Sequence, residues 1–98
     1  MPRLLDDEEV ARRIERLRGW KKEGSFIAKT FEFGSFLQGM GFVNRVAKIA
    51  EEEEHHPDIH IRYTQVKLSI QTHSAGGITA WDLALAKRID EMQAPEKR

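Results

Sequence analysis

The apolar residues of segment 59–70 change the phase of their alternation halfway along it. Their numbers are odd up to residue 63 and even from residue 66 onward: Ile59, Ile61, Tyr63, Val66, Leu68 and Ile70. A straight strand cannot change phase without turning one of these two sets to the wrong face of its sheet. The change therefore indicates a tight turn or a bulge at Thr64-Gln65. We favour the turn, which gives the chain four strands, over the bulge, which gives three.

Segment 20–33 predicts another hairpin, and three other segments have the apolar spacing of helices. Glu23-Gly24-Ser25 is the turn signal of this hairpin. The first helix begins at Asp6 or Asp7 and ends at Gly19, which suits a left-handed cap. Residues 79–82 resemble a capping box for the last helix, with Asp in place of Glu. The predicted apolar stripes are Val10, Ile14 and Leu17; Phe36, Met40, Val43, Ala47 and Ala50; and Trp81, Leu85, Ile89 and Met92.

The elements follow one another in the order α-β-β-α-β-β-α. This order predicts an α+β fold, in which three helices pack on one face of a four-stranded antiparallel sheet. The 98 residues fit a single domain, residues 1–98. A domain of this size buries a modest share of its surface, so self-association would add useful burial. The tail, residues 94–98, is expected to fray.

The composition excludes several classes of site and partner. The chain has no cysteine, so disulfides, thiolate nucleophiles and cysteine-based zinc sites are impossible. Its 16 basic residues balance 16 acidic ones, which gives no broad attraction to nucleic acid or membranes. The polar face of the first helix holds Arg12, Arg13, Glu15, Arg16 and Arg18, and because acidic residues are interspersed it indicates a solvated face more than a nucleic-acid contact. No signal peptide or membrane-spanning apolar run is present, so we expect a cytoplasmic protein without direct nucleic-acid or membrane binding.

All four histidines lie between residues 51 and 82: His55, His56, His60 and His73. Imidazole titrates near neutrality, so these side chains suit general acid and base catalysis. His55 and His56 lie where the second helix gives way to a strand, because Pro57 keeps the preceding residue extended. If the strands of segment 59–70 pair as a hairpin, the chain brings His73 back beside His55 and His56. The pattern therefore predicts a histidine acid/base site at one end of the sheet.

Less specific interpretations of the same residues remain open. A single histidine near a helix end is usually a cap or a surface residue, and Asp82 could serve only as a helix cap. His55, His56, His60 and nearby carboxylates have atoms suited to zinc, but adjacent histidines in an extended segment point apart. The acidic run, residues 51–54, opposes the dipole at a helix C-terminus. We interpret this run as a solvated turn in which one carboxylate could have a functional role.

The sequence resembles the pterin-4a-carbinolamine dehydratases. The core of the resemblance is Glu51-x-x-x-His55-His56-Pro57-Asp58, followed by Thr72-His73-Ser74-Ala75-Gly76-Gly77 and Asp82. The resemblance covers nearly the whole chain and implies the sheet-and-helix fold described above, in dimers or tetramers. It implies dehydration of 4a-hydroxy-tetrahydrobiopterin to quinonoid dihydropterin without a cofactor or metal. Some animal members also bind a homeodomain transcription factor, so a non-catalytic scaffold or transcriptional dimerisation cofactor is the alternative.

The resemblance also implies roles for individual residues. His55, His56 and His73 are the expected catalytic residues, of which His56 and His73 transfer protons directly. The expected substrate-binding residues are Glu51, Pro57, Thr72, Ser74, Ala75 and Asp82. Glu51 would accept hydrogen bonds from the amino-pyrimidine edge of the pterin, and Asp82 would orient a histidine. Ile59 and Ser74 depart from the animal pattern, which has an aromatic and an acidic residue there, so the preferred pterin is open.

Overall fold

The computed structural model describes residues 2–93 and has the predicted order of elements. The bounds are α1 Asp7–Ile14, β1 Lys21–Glu23, β2 Phe26–Glu32, α2 Phe36–Glu53, β3 Asp58–Arg62, β4 Gln65–Ile70 and α3 Ala80–Gln93, with a short 3-10 turn at His73–Ala75. The four strands form one antiparallel sheet in the order β1-β2-β4-β3. The α+β prediction is therefore confirmed, and the tail predicted to fray lies outside the described residues.

The phase change in segment 59–70 is a two-residue hairpin turn. Arg62 pairs with Gln65, which leaves Tyr63 and Thr64 as the turn. Tyr63 takes the left-handed conformation, with φ of 55°, that such tight turns require. A turn in place of a bulge was predicted, although it lies one residue before Thr64-Gln65. Ile61 is paired with Val66, so the odd and even apolar residues do share one face of the sheet.

The core lies between that face of the sheet and the helices. Phe42 of α2 packs its ring 4.6 Å from the ring of Phe31 and 5.0 Å from the ring of Phe33, between centroids. The opposite face is polar, and the residues along it include Thr30, His60, Arg62, Lys67 and Ser69. The sheet is therefore covered by helices on one face only.

The predicted apolar stripe of α2 was rotated from the observed one. The buried residues are Gly39, Phe42, Val46, Ile49 and Ala50, whereas Phe36 and Ala47 are exposed. Gly39 faces the sheet, although glycine disfavours the interior of a helix. A Cβ there would lie 3.5 Å from Cγ2 of Val66, an ordinary van der Waals distance, so this position of α2 packs directly against β4.

The first helix begins as predicted and ends earlier than predicted. Asp6 caps it, because its carboxylate accepts from the Glu9 N–H at 2.8 Å while the Glu9 carboxylate accepts from the Asp6 N–H at 3.3 Å. The regular helix stops at Ile14, and turns continue to Gly19, whose φ of 88° is left-handed. Gly19 therefore ends the turns that follow the helix.

Candidate active site

The capping box at the start of α3 points Asp82 into the protein. The Thr79 hydroxyl accepts from the Trp81 N–H at 3.2 Å, and Oδ2 of Asp82 accepts from the Thr79 N–H at 2.7 Å. This is the predicted box, with Asp82 at the position that Glu usually takes. Asp82 is completely buried there. A buried carboxylate needs partners for both of its oxygens, so the remaining contacts of Asp82 define the site.

One set of these contacts comes from the end of β4. The Thr72 hydroxyl donates to Oδ2 of Asp82 at 2.9 Å, and it lies 2.8 Å from the Thr79 hydroxyl. Since Thr72 uses its proton on the carboxylate, Thr79 donates to Thr72. The hydroxyls thus form a directed chain that ends on Asp82. No buried side-chain N or O atom between residues 2 and 93 lacks a hydrogen-bond partner, so this polar cluster is fully satisfied.

The other oxygen of Asp82 binds a histidine from the end of α2. Nε2 of His55 lies 2.5 Å from Oδ1 of Asp82, and only 13% of the His55 side chain is exposed. Glu54 reverses the chain before it by taking a left-handed conformation, and the His55 N–H bonds to the Ala50 carbonyl at 3.0 Å. A carboxylate is an acceptor, so it fixes the tautomer in which Nε2 of His55 carries the proton.

His56 faces a different partner from its neighbour. Nε2 of His56 lies 2.6 Å from Oε2 of Glu51, and both side chains are largely exposed. The divergence of His55 and His56 follows from the extended backbone before Pro57, as predicted. The end of α2 therefore presents two histidine–carboxylate pairs, of which one is buried and one faces solvent.

His73 begins the 3-10 turn after β4 and is exposed. Its Nδ1 lies 3.0 Å from the Gln71 amide nitrogen. The turn is closed by the Thr72 N–H, which donates to the Gly77 carbonyl at 2.8 Å, and Gly76 is left-handed. His73 directly follows Thr72, so Asp82 joins the chain segment of His73 to that of His55. Ser74 and Ala75 complete the turn, with Ser74 exposed and Ala75 partly buried.

A cleft of about 330 Å³ lies beside His55. Its walls include Glu54, Trp81, Ala84 and Leu85. The ring of Trp81 meets that of His55 edge to face, with centroids 6.2 Å apart and planes at 71°. Trp81 was predicted to pack in the core, but it is 51% exposed. The capping box could have revealed this, because a helix that turns Asp82 inward places residue 81 about 100° away from it.

The acidic run at the end of α2 was interpreted as a solvated turn, but two of its carboxylates form ion pairs with α3. The Arg88 guanidinium donates to carboxylates of Glu52 and Glu53, each at 2.5 Å, and so ties α2 to α3. These hydrogen bonds raise the pKa of Arg88 above its ordinary value.

His60, which was considered as a zinc ligand, lies on the polar face of the sheet. Within residues 2–93, no three His, Asp or Glu side chains are grouped so that they could hold a metal ion.

No helix within residues 2–93 is long and apolar enough to span a membrane.

The pterin 4 alpha carbinolamine dehydratase family model matches residues 3–92. A protein of Thermomicrobium roseum, named "Putative pterin-4-alpha-carbinolamine dehydratase", is 48% identical over 90% of this chain and 95% of its own length. A protein of the same name from Sulfolobus acidocaldarius is 42% identical over 91% and 98% of the two chains.

Two solved structures share the fold. A transcriptional coactivator/pterin dehydratase from Brucella melitensis has a TM-score of 0.84 and 30% identity, and the match covers 90% of this chain and 96% of that one. A pterin dehydratase-like protein identified as a RuBisCO assembly factor has a TM-score of 0.67 and 27% identity over 81% and 94%. The family match spans nearly all of the described residues. The chain therefore belongs to the pterin 4 alpha carbinolamine dehydratase family.

Proposed function

We propose that the protein removes water from 4a-hydroxy-tetrahydrobiopterin to give quinonoid dihydropterin. The C4a–O bond breaks, the hydroxyl leaves as water, and loss of the N5 proton forms the C4a=N5 double bond. Hydroxide is a poor leaving group, so the reaction needs a general acid at the hydroxyl and a general base at N5. The observation that carries the proposal is the His55–Asp82 pair, a buried carboxylate fixing an imidazole at the edge of a cleft.

The three histidines share the proton transfers in this proposal. His56 and His73 act directly on the pterin, which their exposure supports, since an exposed ring can reach a bound ligand. His55 is more enclosed, and Asp82 keeps its ring in one tautomer and one orientation. No cofactor or metal takes part, because the reaction changes no oxidation state and needs only proton donors and acceptors.

The remaining residues bind the pterin. Glu51 uses one oxygen on His56, which leaves the other for the amino-pyrimidine edge of the pterin. Pro57, Ser74 and Ala75 border the ring. Thr72 is buried with its hydroxyl on Asp82, so we assign its contribution to its backbone and to the support of that carboxylate.

The assay that tests the proposal follows chemically prepared 4a-hydroxy-tetrahydrobiopterin by its ultraviolet absorbance. With purified protein, the absorbance of the carbinolamine should decay faster than in buffer, in proportion to protein concentration. The control is the same protein solution after the protein has been denatured and removed, so that only its buffer remains. A decay no faster than in buffer would contradict a dehydratase.

A non-catalytic role is the second candidate. The names of the two structural relatives favour it, since one is called a transcriptional coactivator and the other a RuBisCO assembly factor. A scaffold or transcriptional dimerisation cofactor would leave the decay of the carbinolamine at its rate in buffer. The histidine set of this chain favours the enzyme, because a scaffold needs no imidazole fixed by a buried carboxylate.

We further propose that the protein is cytoplasmic and forms a homodimer or homotetramer. Exposed apolar side chains support self-association: Phe36 and Leu37 at the start of α2, and Ile61 and Tyr63 at the end of β3. The two groups lie at the same end of the molecule, because the Phe33 N–H donates to the Thr64 carbonyl. Light scattering coupled to gel filtration should give a mass of two or four chains, and a monomer would contradict the proposal.

A further inference from the structure

A cationic groove of about 570 Å³ runs between α1 and α3. Arg12, Arg13 and Arg16 line it from the α1 side, and Lys87 lines it from α3. The regular helix ends at Ile14, but tight turns hold Arg16 in place, since its N–H donates to the Arg13 carbonyl at 3.2 Å. Leu17 and Leu83 supply the apolar part of the lining. The arginine face that the sequence predicted to be simply solvated is therefore one wall of a groove.

Among residues 2–93, the four cations of this groove lack the carboxylate partner that several other surface cations have. Arg3, Lys22, Lys29, Lys67 and Arg88 each form an ion pair with a carboxylate. None of the groove cations forms an ion pair with any residue from 2 to 93. Four positive side chains within one groove repel each other, so they would be stabilised by an anion. Guanidinium groups in particular match the planar geometry of carboxylates and phosphates.

The groove adjoins the cleft of the candidate active site. Ala84 lines both the groove and the cleft beside His55. On α3, Trp81 and Leu85 face the cleft, while Leu83 and Lys87 face the groove. Ala84 lies between these two faces, and its side chain is a single methyl group. From Trp81 to Lys87 the helix rises about 9 Å, a distance that a flexible substituent of several bonds can span.

We propose that the groove binds an anionic substituent on the substrate, so that the preferred pterin carries a carboxylate or phosphate on its C6 side chain. This inference rests on the proposed dehydratase function. The bicyclic ring lies at the mouth of the cleft beside His55, where the exposed His56 and His73 act on it, and the substituent crosses Ala84 to reach the cations. Glu53 and Glu54 line the cleft whereas Arg12, Arg16 and Lys87 line the groove, so charge favours an anionic substituent in the groove over the cleft.

The kinetic test compares three 4a-hydroxy-tetrahydropterins that differ only in the end of the C6 side chain: a hydroxyl, a carboxylate and a phosphate. We expect KM to be at least about fivefold lower for one or both anionic substrates, with similar kcat, because exposed ion pairs stabilise bound substrate and transition state alike. The preference should shrink as salt is added. Equal KM values for all three substrates, with dehydration intact, would overturn the inference and leave the proposed function standing.

Variants locate the effect. Arg12→Gln, Arg16→Gln and Lys87→Gln should each raise KM for the preferred anionic substrate by about twofold to fivefold and leave the hydroxyl substrate unchanged. Lys48→Gln removes an exposed positive charge from α2 and is the matched control, with no expected effect. If Lys48→Gln raises KM as much as the groove variants do, net charge is responsible and the inference fails.

A binding measurement keeps the inference testable without turnover. Calorimetry should show that folate, an oxidised pterin with a dicarboxylate tail, binds more tightly than biopterin, and that the groove variants remove the difference. This comparison separates the two proposals, because loss of dehydration alone would contradict only the dehydratase. Equal affinity for folate and biopterin would overturn the inference. So would tight binding of a single-stranded oligonucleotide through the groove in place of any pterin preference.

Discussion

Helix α3 carries two aspartates whose surroundings differ, Asp82 in its first turn and Asp90 two turns later. Oδ1 of Asp90 accepts from Nζ of Lys29 and Oδ2 accepts from Nε1 of Trp20, both at 3.0 Å. Asp82 accepts from Thr72 and the Thr79 backbone and binds His55. Both aspartates connect α3 to distant parts of the chain, and both use all of their carboxylate oxygens. The difference lies in the chemistry of the partners.

The partners of Asp90 are a lysine ammonium and an indole N–H, which act only as hydrogen-bond donors. Asp90 therefore forms a static link between α3 and the sheet. One side-chain partner of Asp82 is likewise a nitrogen group, but it is an imidazole, the group that enzymes use most often as a general acid or base. Asp82 therefore holds a group that can do chemistry. The same residue type on the same helix therefore has donor-only partners in one place and, in the proposed mechanism, positions a histidine in the other.

The largest expected effect concerns the histidines that Asp82 does not hold. His56→Ala and His73→Ala should each lower the dehydration rate by about 10²-fold or more, through loss of acid or base help. Both side chains are exposed, so the free energy of unfolding should change by less than about 0.5 kcal/mol. Stopped-flow kinetics and urea titration measure the two quantities. His60→Ala is the control and should have the wild-type rate, and normal rates in both test variants would refute the assignment.

Asp82→Asn should destabilise the protein by about 1–3 kcal/mol, since the amide turns a donor toward groups that need an acceptor in a buried site. Urea unfolding followed by circular dichroism measures this change. Thr79→Ser keeps the hydroxyl of the cluster and is the matched control, with a smaller loss. If Asp82→Asn is as stable as the wild-type protein, the hydrogen bonds of Asp82 do not hold the segments of His55, Thr72 and Thr79 together.

Asp90→Asn should cost about 1 kcal/mol, because its ion pair with Lys29 is partly exposed and the amide can still accept one hydrogen bond. The same unfolding experiment measures it. Lys29→Met should give a similar loss, and the double variant should lose less than the sum of the two single changes. Additive losses would show that Asp90 and Lys29 do not stabilise each other.

The smallest expected effect is at the start of α1. Hydrogen bonding and charge from Arg3 lower the pKa of Glu9 from 4.5 to about 2. A lowered carboxyl pKa contributes stability that is fully present above pH 4.5 and is lost as the pH falls through about 2. The effect is small because Arg3 is 67% exposed. Thermal unfolding of Glu9→Gln should therefore differ from wild type at pH 6 and converge with it near pH 2. A difference that stays constant with pH would contradict this origin.

The parts of the fold that follow from local geometry could be predicted from the sequence. The phase change in segment 59–70 gave the hairpin because strand side chains alternate strictly. The capping box at residues 79–82 gave the start of α3. The rotation of α2 could not be read in the same way, because burial of Gly39 depends on how closely the helix approaches Val66. Local spacing contains no information on that approach.

The site was predictable in its residue types and less so in its contacts. Sequence reasoning placed histidines at the ends of α2 and β4 and expected Asp82 to orient one of them. The partner of Asp82, His55, lies 27 residues away, and Lys29 lies 61 residues from Asp90. The capping box and the family resemblance singled out Asp82, but neither aspartate's partners could be predicted, because those partners are residues that only the folded chain brings close. Trp81 was missed as a wall of the cleft, although the capping box that turns Asp82 inward could have revealed its exposure.

The most direct test of the account measures the dehydration rates of Asp82→Asn and Asp90→Asn side by side, at temperatures where both variants are fully folded. Asp82→Asn should lower kcat by about tenfold or more, since His55 loses the acceptor that fixes its tautomer. Asp90→Asn should keep the wild-type kcat. Equal rates in the two variants would contradict the claim that Asp82 organises a catalytic histidine.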